Sequence, residues 1–573
     1  AETMRLIEKE IESIFLDTVK KIYPEVECVA VQIQATNNEK FGDYQTNFAM
    51  VNSKALKSNP RSIAQTVLDN LENNEIIDKL EIAGPGFINI FIKNEYLSGK
   101  IAKIGQDKFN FDFINKNGDL IIDYSSPNIA KRMHIGHLRS TVIGDSIKRI
   151  YKYLGYKTVA DNHIGDWGTQ FGKLIVGYDN WLNEEAYKAD AIEELERIYV
   201  EFSNRAEENP SLEDLAREEL AKLQQGDERN TKLWKEFIKV SLEEYDKVYS
   251  RLGISFDTYN GESFYNDMMP GIIKILKENG LAKEDNGAQV VFFEEEENLH
   301  PCIVQKTDGA FLYATSDLAT IQYRKGKYDI NKIIYVTDER QQDHFRQVFK
   351  IAEKLGWDEE RVHIWFGIMR FADGIFSSRK GNVIKLTDLL DEAVKRAYEI
   401  VNIKNPLLSE EEKQNIAEIV GVGAVKYADL SQNRQSAIIF EWDKILSFEG
   451  NTSPYLQYVY ARVQSLLKKA KEQNINDLGD KIILKEATER TLALALLQFP
   501  NVVISAANSY KPNLVADYIF ETAKKFNTFY NAIPILREED GVMLKSRLLL
   551  AERTGKVIKD GLDLLGIKTV DRM

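Results

Sequence analysis

Residues 119–162 read DLIIDYSSPNIAKRMHIGHLRSTVIGDSIKRIYKYLGYKTVADN, and this stretch decides the fold class. The short apolar run at 120–124 predicts a buried strand, which is followed by the polar turn SSPN. Apolar side chains then recur at helical spacing from about residue 135 to residue 154, before a second strand at 157–162. A strand, a helix and a strand in this order form a βαβ unit, which implies a parallel sheet.

The rest of the chain extends this unit into a multidomain α/β protein. Later apolar strands at 290–293, 333–336 and 363–366 alternate with helical patterns and predict a doubly wound, Rossmann-like parallel sheet. We predict an N-terminal α+β domain at 1–112, the sheet domain at 113–387 with a helical insertion at about 179–250, and a C-terminal α-helical bundle at 388–573.

Local patterns also predict particular elements inside the outer domains. Within residues 1–112 they indicate helices near 6–22 and 63–71, and strands near 29–33 and 86–92. The bundle is expected to begin at TDLLDE with Thr387 as the helix N-cap, and to be interrupted by a polar linker near 474–480.

Charge is distributed unevenly along the 573 residues, which carry a formal net charge of −14. This balance argues against a protein that wraps nucleic acid by bulk positive charge, although a local basic face stays open. Residues 179–228 carry 16 acidic and five basic side chains, and residues 449–573 carry 15 acidic and 18 basic ones. The C-terminal part is therefore compatible with an RNA backbone.

The cysteines and the apolar segments indicate a cytoplasmic protein. Cys28 and Cys302 lie far apart and form neither a disulfide framework nor a paired zinc motif. The N-terminus has no apolar signal core, and the longest apolar run, at 492–497, is too short to span a membrane. We therefore expect no membrane association.

Two histidines, His134 and His137, flank Ile135-Gly136 where the predicted strand leads into the predicted helix. Helix N-terminal N–H groups attract phosphate, two imidazoles add donors, and Gly136 leaves room for a flat base. Such a pair is also found as a surface pair or in a metal site. Zinc needs three or four ligands, however, and the remaining histidines show no ligand spacing.

A second polar segment, FSSRKGN at 376–382, lies far downstream between a predicted strand and the helix near Thr387. A basic, glycine-containing loop of this kind can close on a triphosphate, and it can equally be a solvated turn.

Together these motifs resemble the signature pair of class I aminoacyl-tRNA synthetases. Longer words resemble the arginyl-tRNA synthetase family in particular, and they occur in order along essentially the whole chain. They are FGDYQTNFAM at 41–50, SSPNIAKRMHIGHLRST at 125–141, DNHIGDWGTQFG at 161–172, DGAFLYATSDLATIQYR at 308–324, NTSPYLQYVYAR at 451–462 and the terminal DRM.

The resemblance implies an enzyme that forms arginyl-adenylate from L-arginine and ATP with Mg²⁺, and then transfers arginine to tRNA(Arg). No zinc is expected. The implied ATP-binding residues are His134, Gly136, His137, Ser377, Ser378, Arg379 and Lys380. The catalytic set implied is His134, His137, Lys131 and Lys380. Ser378 stands where the family's fuller loop motif has a lysine, and our hypothesis is that Lys131 supplies the missing charge.

The resemblance also implies an arginine site, because carboxylates match the planar fork of a guanidinium. The matching residues are Asp123, Ser126, Asn128, His134, Tyr313, Asp317 and Gln341. Tyr313 and Asp317 lie four apart on one helix face and are assigned to the guanidinium. Asn128 and Gln341 are assigned to the α-amino and carboxylate groups. Gln342 is a rival for Gln341, and Glu262 is a weaker candidate.

The outer domains are expected to contact tRNA(Arg). Asn38, Phe41 and Asp43 occupy the loop that matches the tRNA-elbow domain, and Tyr455 and Tyr458 are candidates for stacking on anticodon bases. Core packing is the alternative for these tyrosines. We expect a monomer that binds no DNA. Two alternatives remain, a non-catalytic tRNA-binding paralogue and another class I synthetase. A dinucleotide oxidoreductase is a poor third, since Gly421-Val422-Gly423 follows no strand.

Overall fold

The structure is a computed structural model, and it describes residues 2–27, 30–372 and 384–573. The strands of these residues are β1 (Thr3–Met4), β2 (Ile33–Ala35), β3 (Tyr44–Thr46), β4 (Ile77–Ala83), β5 (Phe87–Ile92), β6 (Lys108–Phe109), β7 (Asp119–Asp123), β8 (Lys157–Asp161), β9 (Ala282–Asp285), β10 (Ala288–Val291), β11 (Cys302–Gln305), β12 (Ile330–Asp338), β13 (Glu360–Phe366), β14 (Met369–Phe371) and β15 (Ile438–Phe440).

The α-helices of the same residues are α1 (Ile7–Ile22), α2 (Phe48–Val51), α3 (Pro60–Asn70), α4 (Asn94–Lys103), α5 (Ile135–Tyr153), α6 (Gln170–Trp181), α7 (Glu184–Ala189), α8 (Ala191–Glu208), α9 (Ser211–Gln224), α10 (Glu228–Leu252), α11 (Glu262–Tyr265), α12 (Met269–Glu278), α13 (Tyr313–Lys327), α14 (Gln342–Lys354), α15 (Leu386–Lys404), α16 (Glu410–Leu430), α17 (Trp442–Ile445), α18 (Ser453–Glu472), α19 (Ala487–Leu497), α20 (Phe499–Ser509), α21 (Asn513–Ala532) and α22 (Gly541–Leu564).

The central sheet is parallel and has the strand order β13-β12-β7-β8. Its two central strands, β7 and β12, are buried on both faces. Ile121 packs with Phe345 of α14 on one face, whereas Ile122 belongs with Leu138 of α5 to the core on the other. The chain leaves β7 toward β8 on one side and later returns to β12 on the other. This arrangement creates a topological switch point at the carboxyl ends of β7 and β12, where open α/β sheets bind ligands.

Helices α6 to α10 fill the stretch between β8 and α11, where a helical insertion is predicted. One prediction in the sheet domain is wrong. The strand predicted at 290–293 corresponds to β10 (Ala288–Val291), which lies in a separate antiparallel sheet in the order β11-β10-β9, not in the parallel sheet. An apolar run marks a strand, but it does not say which partner the strand will find.

In the N-terminal part, the order β2-β3-β5-β4 forms an antiparallel sheet, and the predicted helices are present as α1 and α3. The strand predicted at 29–33 lies later in the chain, because residues 30–32 form no strand and β2 spans Ile33–Ala35. Val29 lies outside the described residues, and β2 begins at Ile33 because pairing starts where Ile33 meets Thr46 of the short β3.

Two features of the C-terminal part differ from the prediction. Helix α15 begins at Leu386 with Lys385 as its N-cap, so Thr387 is a helical residue. Backbone pairing causes this early start, because Ile135 donates to Ile384 O and Leu386 donates to Met133 O, both at 3.0 Å. The C-terminal part at 388–573 is not entirely helical either, because it contains β15, which pairs in parallel with β14. The polar linker lies between α18 and α19 as predicted.

Polar contacts join the outer parts to each other. Arg490 of α19 forms a bidentate pair with Asp43 at 2.6 and 2.8 Å, and Arg553 of α22 donates to Ala102 O of α4. The apolar helical stretch Ala487–Ser509 is long enough to span a membrane by length and composition. Half of its most apolar part is buried inside the protein, as in the core helices of many proteins.

Candidate active site

The N-terminus of α5 is capped by its two histidines. His134 Nδ1 accepts from the Gly136 N–H at 3.0 Å, and His137 Nδ1 accepts from the His134 N–H at 3.1 Å. The ring centroids lie 4.1 Å apart. A Cβ atom at Gly136 would lie 2.6 Å from Cε1 of His134. Glycine at 136 therefore allows His134 to fold back over the helix end.

Both histidines are arranged as neutral donors. Since each Nδ1 accepts a hydrogen bond, the proton of the neutral ring lies on Nε2. Burial, with a contribution from Lys131, lowers the pKa of His134 below its usual value, and burial lowers the pKa of His137 to about 3. No described residue takes up either Nε2 atom. Two N–H donors at a helix N-terminus make an anion site.

The loop between β7 and α5 is held by the helical insertion. Ser125, Ser126 and Ala130 have φ angles of 76°, 52° and 66°, in the left-handed region that residues with a Cβ rarely adopt. Tyr249 of α10 contacts Ser125 Oγ at 2.6 Å, and Ser241 of α10 accepts from the Ala130 N–H at 2.9 Å. Such strain persists where the surroundings enforce it, often at functional sites.

Lys131 lies on this loop and is exposed. Its Nζ atom lies 5.2 Å from the ring centroid of Tyr199 in α8, and Nζ of Lys173 in α6 lies 6.0 Å from the same ring. Lys131 also acts electrostatically on His134. The structure therefore brings Lys131 and the histidine pair together at one place.

Asp123, at the carboxyl end of β7, is engaged by a residue that the sequence did not point to. Nη2 of the buried Arg324 donates to Asp123 Oδ2 at 2.8 Å and to Asp161 Oδ2 at 2.7 Å. Burial raises the pKa of Asp123, and Arg324 opposes this shift. Arg324 therefore occupies Oδ2 of Asp123, so only part of this carboxylate is free to bind a substrate.

Glu262, at the first position of α11, lies in a group of acidic side chains. Burial raises the pKa of Glu262 to about 7, and the nearby Asp166 and Asp317 add to the increase while His163 opposes it. The charge of Glu262 also raises the pKa of Tyr313, so the two groups lie near one another. In the described part of the chain, no hydrogen bond or ion pair engages the Glu262 carboxylate. An incoming cation would relieve this repulsion.

The other side chains of the group are fixed in place. Asp166 accepts from the Ser263 N–H and hydroxyl at 2.8 and 2.7 Å. Asp317 accepts from His344 Nε2, and His163 Nδ1 lies 3.2 Å from Asn260 O. Asp166 and Asp317 are therefore held in place near Glu262.

The polar candidates lie in the segments that follow β7 and β12. Ser126 donates its N–H to Asn162 Oδ1 at 3.0 Å, and the exposed Asn128 forms a backbone bridge with Gly165. Gln341 is exposed just beyond β12, and its amide forms no hydrogen bond with a described residue. The amide of its rival Gln342 donates to Glu339 O at 3.0 Å, so Gln341 is the freer of the two.

The basic loop is outside the described residues, so nothing is added to the prediction for Ser377, Ser378, Arg379 and Lys380. The described chain resumes at Ile384, and Lys385 forms an antiparallel bridge with His134.

The candidate RNA-contacting residues differ in exposure. Asn38 caps a 3-10 helix at Glu39–Phe41, and Phe41 is 46% exposed, whereas the Asp43 carboxylate is held by Arg490. Tyr458 is 38% exposed between Lys404 and Arg462, whose cationic groups lie 5.8 and 5.5 Å from its ring centroid. Tyr455 accepts a hydrogen bond from Asn527 at 2.8 Å.

Comparison with known proteins places these features in a family. Residues 102–442 match the family model described as tRNA synthetases class I (R), catalytic domain, residues 456–573 match the DALR anticodon binding domain, and residues 9–92 match the arginyl tRNA synthetase N terminal domain. The chain is 62% identical over 572 residues to the arginine–tRNA ligase of Fusobacterium nucleatum, with full coverage of both chains. The chain belongs to the arginyl-tRNA synthetase family.

Other members of the family are more distant. The arginine–tRNA ligase of Chromobacterium violaceum is 45% identical, over 94% of this chain and 96% of that protein. The crystal structure of arginyl-tRNA synthetase from Plasmodium falciparum superposes with a TM-score of 0.84 at 29% identity, with full coverage of both chains. The arginyl-tRNA synthetase of Thermus thermophilus shares the fold, with a TM-score of 0.82 at 23% identity over 99% of this chain and all of that one.

Proposed function

We propose that this protein is an arginine–tRNA ligase that activates L-arginine with ATP and transfers it to tRNA(Arg). The observation that carries the proposal is the set of carboxylates formed by Glu262 with Asp166 and Asp317, which have no lysine or arginine partner among the described residues. Beside it lies a helix N-terminus equipped with two neutral imidazole donors. The carboxylates suit a guanidinium, and the helix N-terminus with its two imidazoles suits a triphosphate.

The activation step is an in-line attack of the arginine carboxylate on the α-phosphate of ATP, with pyrophosphate as the leaving group. In our proposal, the Nε2–H groups of His134 and His137 and the N-terminus of α5 hold the triphosphate oxygens and stabilise the charge that builds up on them. Gly136 leaves space against which adenine lies. Lys131 adds a positive charge beside His134, and Arg379 and Lys380 assist from the basic loop.

Mg²⁺ is expected to arrive with the ATP. Among the described residues, no group of three histidine, cysteine, aspartate or glutamate side chains could hold a metal ion. In our proposal the ion is therefore held chiefly by phosphate oxygens and water, as Mg²⁺ often is in nucleotide sites.

The residues proposed to bind arginine are chosen by their charge and by the hydrogen bonds that their side chains can form. Glu262, Asp317 and Tyr313 are proposed to receive the guanidinium, and an uncharged side chain would leave the partly buried Glu262 and Asp317 carboxylates without a lysine or arginine-like cation. Asn128 and Gln341 would hold the α-amino and carboxylate groups. Asp123 is proposed to contribute to the arginine site while it stays bound to Arg324. Ser126 is proposed to shape the loop after β7 on which Asn128 lies.

The histidine geometry allows a matched pair of substitutions. His137→Asn keeps an acceptor near the Nδ1 position and loses the Nε2–H donor, so we expect adenylate formation to fall about 100-fold or more with little change in thermal stability. His137→Gln carries a donor near the Nε2 position and should lose less activity but more stability. Pyrophosphate exchange and melting curves measure both. Equal activity losses in the two variants would contradict the assignment.

The C-terminal helices supply the proposed RNA-reading surface. Rings and cations alternate there, as Lys404 lies 4.0 Å from the Phe448 ring centroid and Arg462 lies 4.6 Å from that of Tyr530, with Tyr458 between the two cations. Such surfaces stack on bases and approach phosphates. The N-terminal residues Asn38 and Phe41 are proposed to contact the tRNA elbow, with Asp43 fixing their loop through Arg490.

Tyr458→Leu is expected to weaken tRNA(Arg) binding about tenfold, since base–aromatic stacking contributes about 1–3 kcal/mol per base. Filter binding or fluorescence anisotropy measures the dissociation constant. Phe113→Leu is the matched control, because Phe113 is also exposed and also lies under a lysine, Lys9, at 4.5 Å. Equal affinity in wild type and Tyr458→Leu would remove this tyrosine from the RNA surface.

The experiment that tests the function is ATP–pyrophosphate exchange with each of the twenty amino acids, with and without tRNA(Arg). Exchange with arginine alone is expected. Exchange with another amino acid would favour a different class I synthetase, and no exchange under any condition would favour a non-catalytic paralogue. We further propose a cytoplasmic monomer that binds neither DNA nor membrane.

A further inference from the structure

His344 is a side chain beside the proposed arginine site to which no role has yet been given. It lies in the first turn of α14, and its Nε2 atom lies 2.5 Å from Asp317 Oδ2 of α13. Both side chains are about one-fifth exposed, at 22% and 20%. The contact therefore joins two helices at the edge of the pocket and leaves both groups accessible to a ligand.

The contact settles how Asp317 can present its oxygens. An aspartate with a free carboxylate turns readily about its last torsion, which is broad and roughly two-fold. A hydrogen bond to Oδ2 stops this rotation and leaves Oδ1 and one lone pair of Oδ2 for a further partner. A guanidinium needs its acceptor oxygens in a set plane, because its N–H groups form a rigid fork.

The support behind His344 is rigid. The next residue, Phe345, is buried and stacks on His363, with ring centroids 4.5 Å apart and an interplanar angle of 30°. His363 in turn lies 2.6 Å from the Thr337 hydroxyl of β12. The N-terminal turn of α14 is thus anchored to the sheet, and His344 holds Asp317 from a fixed base.

We propose that His344 is a positioning residue that fixes the Asp317 carboxylate for the arginine guanidinium. This inference rests on the proposed function and on the assignment of Asp317 within it. His344 acts on substrate only through Asp317, so its removal should raise the arginine KM more than it lowers kcat. A purely structural histidine would change stability without this split.

Three substitutions separate the Nε2 donor from the rest of the ring. His344→Gln carries an amide N–H near the Nε2 position, His344→Asn carries one near the Nδ1 position, and His344→Leu carries none. His300→Gln is the control, because His300 is exposed and lies in a loop before β11. Arginine-dependent pyrophosphate exchange is measured with saturating ATP and tRNA(Arg), alongside melting temperatures.

We expect His344→Leu to raise the arginine KM about tenfold or more and to change kcat less than threefold, as expected for a lost hydrogen bond to a charged group. His344→Gln should recover to within about threefold of wild type, whereas His344→Asn should not. In an Asp317→Asn background, adding His344→Leu should change kcat/KM less than twofold, because the two residues act as one unit.

The outcomes distinguish this inference from the proposed function. A wild-type enzyme without arginine-dependent exchange would overturn the function itself, and an unchanged arginine KM in Asp317→Asn would overturn the role of Asp317. If Asp317→Asn loses arginine affinity while His344→Leu does not, the positioning role alone is wrong. Additive losses in the double variant, or no recovery with His344→Gln, would also overturn it.

Discussion

Glu262→Gln is expected to raise the arginine KM about 100-fold, which corresponds to about 3 kcal/mol of lost binding free energy. Glutamine keeps the shape of the side chain but not the charge, and the Glu262 carboxylate has no ion-pair partner among the described residues. The kcat for pyrophosphate exchange should change less than threefold, because Glu262 lies at the amino-acid end of the site. The ATP KM should stay near the wild-type value.

The pH dependence gives this prediction a second signature. Burial raises the pKa of Glu262 to about 7, and only the ionised carboxylate attracts a guanidinium. Lowering the pH from 8 to 6 should therefore raise the wild-type arginine KM about tenfold, since the ionised fraction falls by roughly that factor. His137 does not titrate in this range, because burial lowers its pKa to about 3. Glu262→Gln should remove this dependence.

Glu262→Gln should weaken arginine binding but increase the folding stability of the protein at high pH. The pKa of Glu262 is higher in the native protein than its ordinary value of 4.5, so the native state binds more protons and loses stability as pH rises from about 4.5 to 7. Glu262→Gln avoids this cost and should be more stable than wild type at pH 8, by about 2 kcal/mol, but not near pH 4.5. Glu284→Gln is the control for the stability measurement, because the Glu284 side chain is exposed. A Glu262→Gln enzyme with wild-type arginine KM would remove Glu262 from the site.

Arg139→Met is expected to lower the free energy of unfolding by about 4 kcal/mol. Arg139 is 1% exposed on α5 and donates to Asp429 at 3.2 Å, to Gly367 O at 2.7 Å and to Ser436 O at 3.1 Å. Methionine has similar length and no donor. The substitution, on the same helix whose N-terminus carries His134 and His137, leaves the buried Asp429 without its cation and two carbonyls without a donor.

The sign of the pH effect follows from Asp429. Burial raises its pKa to about 6, and Arg139 opposes the shift. Without Arg139 the native pKa rises further while the unfolded value stays near 3.8, so the variant should lose stability as pH rises from 4 past 6. The loss relative to wild type should be smaller at pH 5 than at pH 8.

Urea unfolding followed by fluorescence at both pH values measures the effect of Arg139→Met. Arg217→Met is the matched control, because Arg217 and Asp214 form an exposed pair with side chains 69% and 68% exposed, and surface pairs contribute little. Arg139→Met combined with Asp429→Leu should recover part of the lost stability, since no buried charge is then left unpaired. Equal losses in Arg139→Met and Arg217→Met would contradict the account of this pair.

The sequence could predict those parts of the fold that local pattern determines. The βαβ unit at β7, α5 and β8 follows from apolar runs and helical spacing, and the helical insertion follows from strongly acidic, helix-forming sequence. The placement of β10 in a second sheet could not be predicted, because partner choice depends on distant segments. Thr387 was expected as an N-cap, but the pairing of 384–386 with 133–135 starts the helix earlier.

In the site, too, local features could be predicted from the sequence, whereas contacts between distant segments could not. The histidine pair and the helix that it caps are adjacent in sequence, and a motif can describe them. Arg324 lies 201 residues from Asp123, and His344 pairs with a residue on another helix. No spacing rule marks an arginine inside DLATIQYR as the buried partner of two aspartates. Glu262 was a weaker candidate because its lack of a counter-charge is visible only after folding.

The most direct test of the central claim is to incubate the enzyme with ATP, Mg²⁺, total tRNA and all twenty amino acids, and to identify the amino acid esterified to each tRNA by mass spectrometry. We expect arginine alone, attached to tRNA(Arg), and at least tenfold less product with Glu262→Gln at subsaturating arginine. Another amino acid on the tRNA, or no esterified product at all, would contradict the assignment of this site to arginine.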